Sequence, residues 1–341
     1  MSKRIAFAAA FVTALAVSGQ PATAQSVEAF YSGRTVSLLI GFGVGGGNDA
    51  WSRTLAKHMG RHIPGNPSVV PKNMPGAGGL KMTNYVYNAA PKDGTVFGLT
   101  NAGIPLEPLL SGKGANFDPL KLNWIGSPDR DTVVCVARKD APVKSLDDLA
   151  TKELVVGATG SGANTNVFPM FFANALGMKI KIIKGYKGTR DILLAAERGE
   201  VMGVCSNHDP LTRQSMYREG KLRVLLQAAT KRDKDIDAPL PTKFITSESQ
   251  RKAFSFFLAR TELGRPFVAP PGVPKERIQT LRRAFDATMK DPDFIADAKK
   301  QRFNVVAMTG EELTAIIEQL YKTPEDAVQL TASALGRQKQ P

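Results

Sequence analysis

The sequence predicts an α/β chain with mostly parallel sheets, on three observations. Apolar strand-like runs alternate with helix-type stretches along most of its length. Two of those strands empty into glycine-rich loops that open helices, a connection typical of parallel strands. The chain has 341 residues, and at 43% hydrophobic and 22% charged it holds apolar material for more than one core.

The first 24 residues read as a leader. Lys3 and Arg4 precede the apolar run Ile5 to Gly19, and Ala22-Thr23-Ala24 gives the small-x-small pattern of signal peptidase sites. The mature chain is expected to begin at Gln25. The run is shorter than the ~20 residues that span a bilayer, and no Cys follows the cut. A soluble, exported protein follows as the expectation.

Strands are expected at Val36–Ile40, Ser68–Pro71, Val96–Thr100, Val133–Arg138, Leu154–Gly157, Lys181–Lys184, Val201–Cys205 and Leu222–Gln227. Helices are expected at Trp51–Arg61, Gly79–Ala89, Ser145–Leu149, Asn166–Leu176, Thr189–Glu197 and Pro210–Arg218. Lys275 to Tyr321 reads as nearly all helical, punctuated by Pro274 and Pro292. Gly126, Ser127 and Pro128 mark one crossing between domains, near Ile125–Arg130. A polar, charged stretch marks a second near Ala228–Asp237. The resulting division is 26–127 plus 229–341 for the first domain and 128–228 for the second.

Losing Lys3 and Arg4 with the leader takes two charges from the net +14. The remaining basic residues are scattered. The densest cluster, Lys299-Lys300-Gln301-Arg302, has only Phe303 as an aromatic neighbour. That pattern argues against nucleic acid and for a positive field that draws in carboxylates. Cys135 and Cys205 both sit in apolar strand-like runs, so a disulfide and two buried thiols both remain open.

The glycine loops carry the chemistry. Val36 to Ile40 runs into Gly41, Gly43, Gly45, Gly46 and Gly47, and Leu154 to Gly157 runs into Gly160-Ser161-Gly162. Each loop offers free N–H groups at the positive end of a helix, an anion site. Two such loops in separate halves imply a cleft with one on each wall. Gly46 and Gly160 are expected to be places where a branched residue cannot enter. The first loop also matches G-x-G-x-x-G, but residues 65–72 lack the acid a dinucleotide site needs.

At this point the motifs resemble a known family. Phe42-x-x-Gly45-Gly46-Gly47-x-Asp49, Asn73-x-Pro75-Gly76-Ala77-Gly78-Gly79 and Pro91-Lys92-Asp93-Gly94-Thr95 resemble signatures of the substrate-binding receptors of tripartite tricarboxylate transporters. So do Tyr186-Lys187-Gly188, Asp191-Ile192-Leu193, Gly199-Glu200-Val201, Ala269 to Lys275 and Asp291-Pro292-Asp293-Phe294. Met202 departs from the family's usual Asp. The resemblance implies a type II periplasmic binding protein fold, two α/β domains on a double-crossing hinge. It further implies a small carboxylate ligand, integral membrane partner subunits and a periplasmic location.

The residues expected to line the ligand are Phe42, Gly45, Gly46, Asn48 and Asp49 from the first loop, Gly78 and Asn101. The second half adds Thr159, Gly160, Ser161, Asn164, Tyr186, Lys187 and Asn207. Asp49 is also read as the cap of the helix beginning near Trp51, and Trp51 as a core residue. Asn101 is open between ligand contact and turn. A secreted α/β enzyme acting on a small carboxylic acid or ester is the alternative, but no G-x-S-x-G elbow is present. His58 and His62 lie at i and i+4 without a neighbouring Glu and read as surface residues, and His208 falls at the cleft rim. No cofactor, metal or nucleic acid is expected, and the protein is read as a monomer.

Overall fold

The computed structural model describes residues 26–337 except Gly112, Asp131 and Ser161. The leader and its cleavage site, Met1 to Gln25, lie outside the described residues, as does Ser161. The order begins α1 (Val27–Tyr31), β1 (Thr35–Ile40), α2 (Gly47–Met59), β2 (Ser68–Asn73), α3 (Leu80–Asn88), β3 (Val96–Leu99), α4 (Glu107–Leu110) and β4 (Asn123–Ser127). The middle contains β5 (Val133–Arg138), β6 (Leu154–Ala158), α5 (Asn164–Leu176), β7 (Ile180–Lys184), α6 (Thr189–Glu197), β8 (Gly203–Asn207), α7 (His208–Thr212), α8 (Ser215–Arg218) and β9 (Leu222–Ala228). The chain ends with α9 (Glu248–Leu263), β10 (Phe267–Ala269), α10 (Lys275–Lys290), α11 (Pro292–Lys300), β11 (Met308–Thr309), α12 (Gly310–Leu320) and α13 (Glu325–Ala334).

Two sheets organise these elements, in the orders β11-β4-β10-β3-β1-β2 and β7-β6-β8-β5-β9. β1 runs parallel to β2 and β3, and β6 parallel to β7 and β8. β10 and β11 run antiparallel to their neighbours, as β5 does to β8 and β9. The sheets are therefore mixed, and the expectation of mostly parallel sheets is corrected. The reason is topological. The crossover units β1-α2-β2 and β6-α5-β7 give parallel neighbours, whereas β5, β10 and β11 are not joined by such a crossover to the strands they pair with and run antiparallel to them.

The chain leaves the first sheet at Ser127 and enters the second at Val133. Its return differs from the expectation of a crossing at Ala228–Asp237. The Gln227 side chain donates to the carbonyls of Asp233, Ile236 and Ala238, folding that stretch back on the second sheet. Lys243 pairs with Asp147, and α9 packs on α13, which packs on α5. First-sheet pairing resumes only at Phe267. The outgoing and returning connections touch: Arg265 N–H donates to Ser127 Oγ at 2.9 Å, and that hydroxyl donates to the Asp129 carbonyl. Gly264, at φ +55°, lies so close to Asp129 that a Cβ there would collide with its carbonyl.

α9 and α13 are absent from the sequence expectations. α9 starts with a capping box, Ser247 with Gln250, and buries Phe254, Phe256, Phe257 and Leu258. Phe257 stacks on Phe171 of α5 at 4.3 Å and meets Phe168 at 4.7 Å. Each such ring removes apolar area worth roughly 1.5–3 kcal/mol from water. Cys135 and Cys205 face each other across β5 and β8 and form a disulfide.

Candidate functional site

The glycine loops and helix starts of both sheets meet at a cavity of about 490 Å³. Three helices direct their N-termini into its wall. α2 contributes Gly47 and Asn48, α5 contributes Asn164 and Thr165, and α6 contributes Thr189 with its capping Gly188. Their N-cap residues are Gly46, Ala163 and Gly188, and none supplies a side-chain hydrogen bond. The first N–H groups of each helix have no intrahelical acceptor. With the partial positive charge of the helix ends, they form a donor cluster that favours an anion.

The first loop is held open by a buried carboxylate. Asp49 is 2% exposed. It lies inside the first turn of α2 rather than capping it, because the helix begins earlier than expected, at Gly47. Asp49 Oδ2 accepts the Gly45 N–H at 2.9 Å, Arg53 Nε reaches both oxygens at 3.0 Å, and Asn73 Nδ2 donates to Oδ1 at 2.8 Å. Asn73 also donates to the Phe42 carbonyl and accepts from Arg53. Burial pushes the Asp49 carboxyl up, but bonds from Arg53, Gly45 and Asn73 outweigh it and leave its pKa below the ordinary value. Two sequence motifs thus form one unit: Asn73 of the second signature locks the loop made by the first.

The second loop is held by neutral groups. Thr159 N–H donates to Thr165 Oγ1 at 3.0 Å, their hydroxyls are 2.8 Å apart, and Asn164 Nδ2 donates to Asn207 Oδ1 at 2.8 Å. Across the cavity, Asn101 Oδ1 accepts the Gly103 N–H, so the turn uses its oxygen and leaves its amide donor for a ligand.

Three cations line the cavity, Lys187, Arg213 and Arg265, and no Asp or Glu is among its lining residues. The Arg265 side chain, 10% exposed, pairs with Asp129, and its Nε donates to Asn48 Oδ1 at 3.0 Å. Burial lowers its pKa to about 10, so it stays charged at neutral pH. Trp51 both packs in the core against Phe294 and Phe303 and lines the cavity.

Of the residues named from the sequence, Phe42, Asn48, Asn101, Thr159, Asn164, Lys187 and Asn207 line the cavity. Gly45, Gly46, Asp49, Gly78, Gly160 and Tyr186 do not. The Gly45 N–H is taken by Asp49. Gly46 has an ordinary extended φ of −81° and open space around it. Gly160 is likewise open, so neither position excludes a side chain. Gly78 faces open space, whereas its neighbour Gly79 is packed against Thr100 and Asn101 of the cavity wall. The Tyr186 ring lies beside Gly157 and joins the core around Ile192.

The reading missed Thr100, Thr165, Thr189, Ser206, Arg213, Gln214 and Arg265. Arg213 and Gln214 lie in a break between α7 and α8, where one continuous helix was expected. Arg265 stands between Gly264 and Pro266, and that pair of breakers was the available signal. Met202, at the family's usual Asp position, pairs by its backbone with Val155 and Arg138 and is not among the lining residues.

The histidines are otherwise engaged. His58 is buried, not on the surface, and bonds Asp297 at 2.9 Å, while His62 bonds Asp291 at 2.7 Å. His208 Nε2 is 2.8 Å from the Tyr217 hydroxyl, and burial lowers its pKa against the raising effect of Asp233 and Asp209. No cluster suited to a metal ion occurs among the described residues.

Several solved structures share this architecture. The periplasmic binding protein BugD is 25% identical, with 91% of this chain and 100% of that chain covered and a TM-score of 0.67. A TctC solute-binding protein from Polaromonas is 18% identical, covering 87% and 98%, at 0.65. MatC from Rhodopseudomonas palustris, solved with bound malate, is 22% identical, covering 86% and 99%, at 0.63. No curated protein matches the chain. The profile of the tripartite tricarboxylate transporter family receptor matches residues 52–329, most of the chain, and the chain belongs to that family.

Proposed function

We propose that this receptor captures a small carboxylate in the cavity between its two sheets and delivers it to integral membrane transporter subunits. The observation that carries the reading is the wall itself: three uncapped helix N-termini and three cations, with no carboxylate side chain among the lining residues. Such donors are satisfied by an acceptor that carries negative charge. The named ligand contacts are Phe42, Asn48, Asn101, Thr159, Asn164, Lys187 and Asn207, joined by Arg213 and Arg265.

The two sheets act as two lobes that close on the ligand. Residues 26–127 and 264–320 form the first, and 128–263 together with α13 form the second, because 229–263 is bonded to the second sheet and its helices and α13 packs on α9 and α5. The protein acts in the periplasm after cleavage behind Ala24, as a monomer, by binding without turnover and without nucleic acid. The deciding experiment is a thermal-shift screen of the mature protein with small carboxylates and their primary amides. A carboxylate at a hundred times its Kd is expected to add about 2.7 kcal/mol. No shift with any carboxylate, or equal shifts with the amides, overturns the proposal.

A further inference from the structure

Four asparagines line the cavity: Asn48, Asn101, Asn164 and Asn207. An asparagine amide accepts at one end and donates at the other, so its orientation decides whether it can serve an anion. In three of them the accepting end is engaged by the protein. Asn101 Oδ1 accepts the Gly103 N–H at 2.7 Å, Asn207 Oδ1 accepts from Asn164 Nδ2 at 2.8 Å, and Asn48 Oδ1 accepts from Arg265 Nε at 3.0 Å. The first two are set by neutral groups. Asn48 is set by a guanidinium that lies 217 residues away in sequence.

Arg265 is itself firmly held. Its side chain pairs with Asp129, and both are buried. Its backbone N–H donates to Ser127 Oγ, so it stands where the returning connection between the lobes touches the outgoing one. Asn48 is the second residue of α2, and its carbonyl accepts the Ser52 hydroxyl. The amide nitrogen of Asn48 has no acceptor among the described residues.

We propose that Arg265 is a positioning residue: by claiming Asn48 Oδ1 while Asp129 holds its own guanidinium, it keeps the Asn48 amide donor turned into the cavity. The inference rests on the carboxylate-receptor reading above and deepens it, because the polarity of one wall residue is then set at the connection between the lobes. The planar fork matters here. A guanidinium serves Asp129 and Asn48 along two fixed directions, which the point charge of an ammonium does not reproduce.

A double-mutant cycle tests this, read by calorimetry of the mature protein with butyrate, succinate, adipate and benzoate. Asn48→Ala removes the donor and is expected to weaken the tightest of these at least about tenfold, the worth of a charged hydrogen bond. Arg265→Lys keeps the positive charge and a partner for Asp129 but gives up the Nε bond, and is expected to weaken binding about as much. The double variant is expected to bind within about threefold of Asn48→Ala alone, because the second change removes only what the first has already lost. Unchanged binding in Arg265→Lys overturns the proposal, as do losses that multiply in the double variant, and the receptor reading survives either result. Asn48→Asp keeps the acceptor that Arg265 needs and presents a carboxylate oxygen in place of the donor. It is expected to hold its melting temperature, an acid being favoured in a first helical turn, and to bind more than about a hundredfold more weakly. Retained affinity in Asn48→Asp overturns the proposal, and this arm decides it should Arg265→Lys fail to fold. Failure of all four acids to bind the wild-type protein overturns the receptor reading and the proposal together.

Discussion

The two glycine loops face the same cavity, yet they are built on opposite principles. The first is tied by charge: Asp49 gathers the Gly45 N–H, the Arg53 guanidinium and the Asn73 amide behind the loop. The second is tied by neutral groups, the hydroxyls of Thr159 and Thr165 and the amides of Asn164 and Asn207. The difference teaches where a carboxylate belongs in an anion site. Asp49 faces away from the cavity, where it stabilises the α2 N-terminus and spends its acceptors on the loop. The second loop holds its turn with hydroxyl and amide bonds alone among those described.

The largest way to break the comparison is Asp49→Ala. It strands the Gly45 N–H and Asn73 amide and frees Arg53, at about 1.5–3 kcal/mol for a charged hydrogen bond. Urea denaturation is expected to show a loss of at least about 2 kcal/mol, with ligand binding abolished. A loss under about 0.5 kcal/mol, the scale of an ordinary surface substitution, would put the loop's support elsewhere.

Acid probes the same contrast without mutation. The folded Asp49 carboxyl titrates below its ordinary 3.8, so its contribution is present above the unfolded value and is lost as pH falls through the lower folded one. Amide exchange at Gly45 to Asp49 is expected to accelerate below about pH 4, ahead of exchange at Thr159, whose N–H is held by the Thr165 hydroxyl and by no titrating group. Simultaneous loss in both loops counts against a charged tie specific to the first.

Gly45→Ala comes next. At φ +84° it forces an L-residue into the left-handed region, at about 1–2 kcal/mol. Thr165→Val is smaller, about 1 kcal/mol, because it removes only neutral bonds to Thr159. Chemical denaturation of both variants ranks them, and a Thr165→Val loss exceeding that of Gly45→Ala would reverse the comparison.

Much of this was legible in the sequence. The strand-loop-helix units around Gly41–Gly47 and Gly157–Asn164 were readable because glycine runs follow apolar runs, and seven of the expected contacts line the cavity. What was not legible shares one cause: it depends on distant partners. β10 and β11 are three and two residues long and become strands only beside β3 and β4. Arg265 and Arg213 sit in the cavity because chain segments far apart in sequence converge there. Asp49 looked like a cap because the sequence shows no sign that its acceptors are claimed by Asn73, 24 residues away.

The smallest expected effect corrects the reading of glycine itself. Gly46 and Gly160 sit in the most conspicuous glycine runs, which made them candidates for sites that only glycine fills. Gly46 has φ −81°, Gly160 does not adopt positive φ, and neither has an obstructing atom where a Cβ would be. Only the lost flexibility of the unfolded chain then separates glycine from alanine, and that favours alanine by about 0.4–1 kcal/mol. Gly46→Ala and Gly160→Ala are therefore expected to leave stability unchanged or slightly raised, with carboxylate affinity within about threefold of wild type, under 1 kcal/mol. Thermal melts and calorimetry on the two variants measure both quantities. A loss beyond 1 kcal/mol in either would mean that the loop adopts another backbone conformation when the ligand is bound, one that does require glycine.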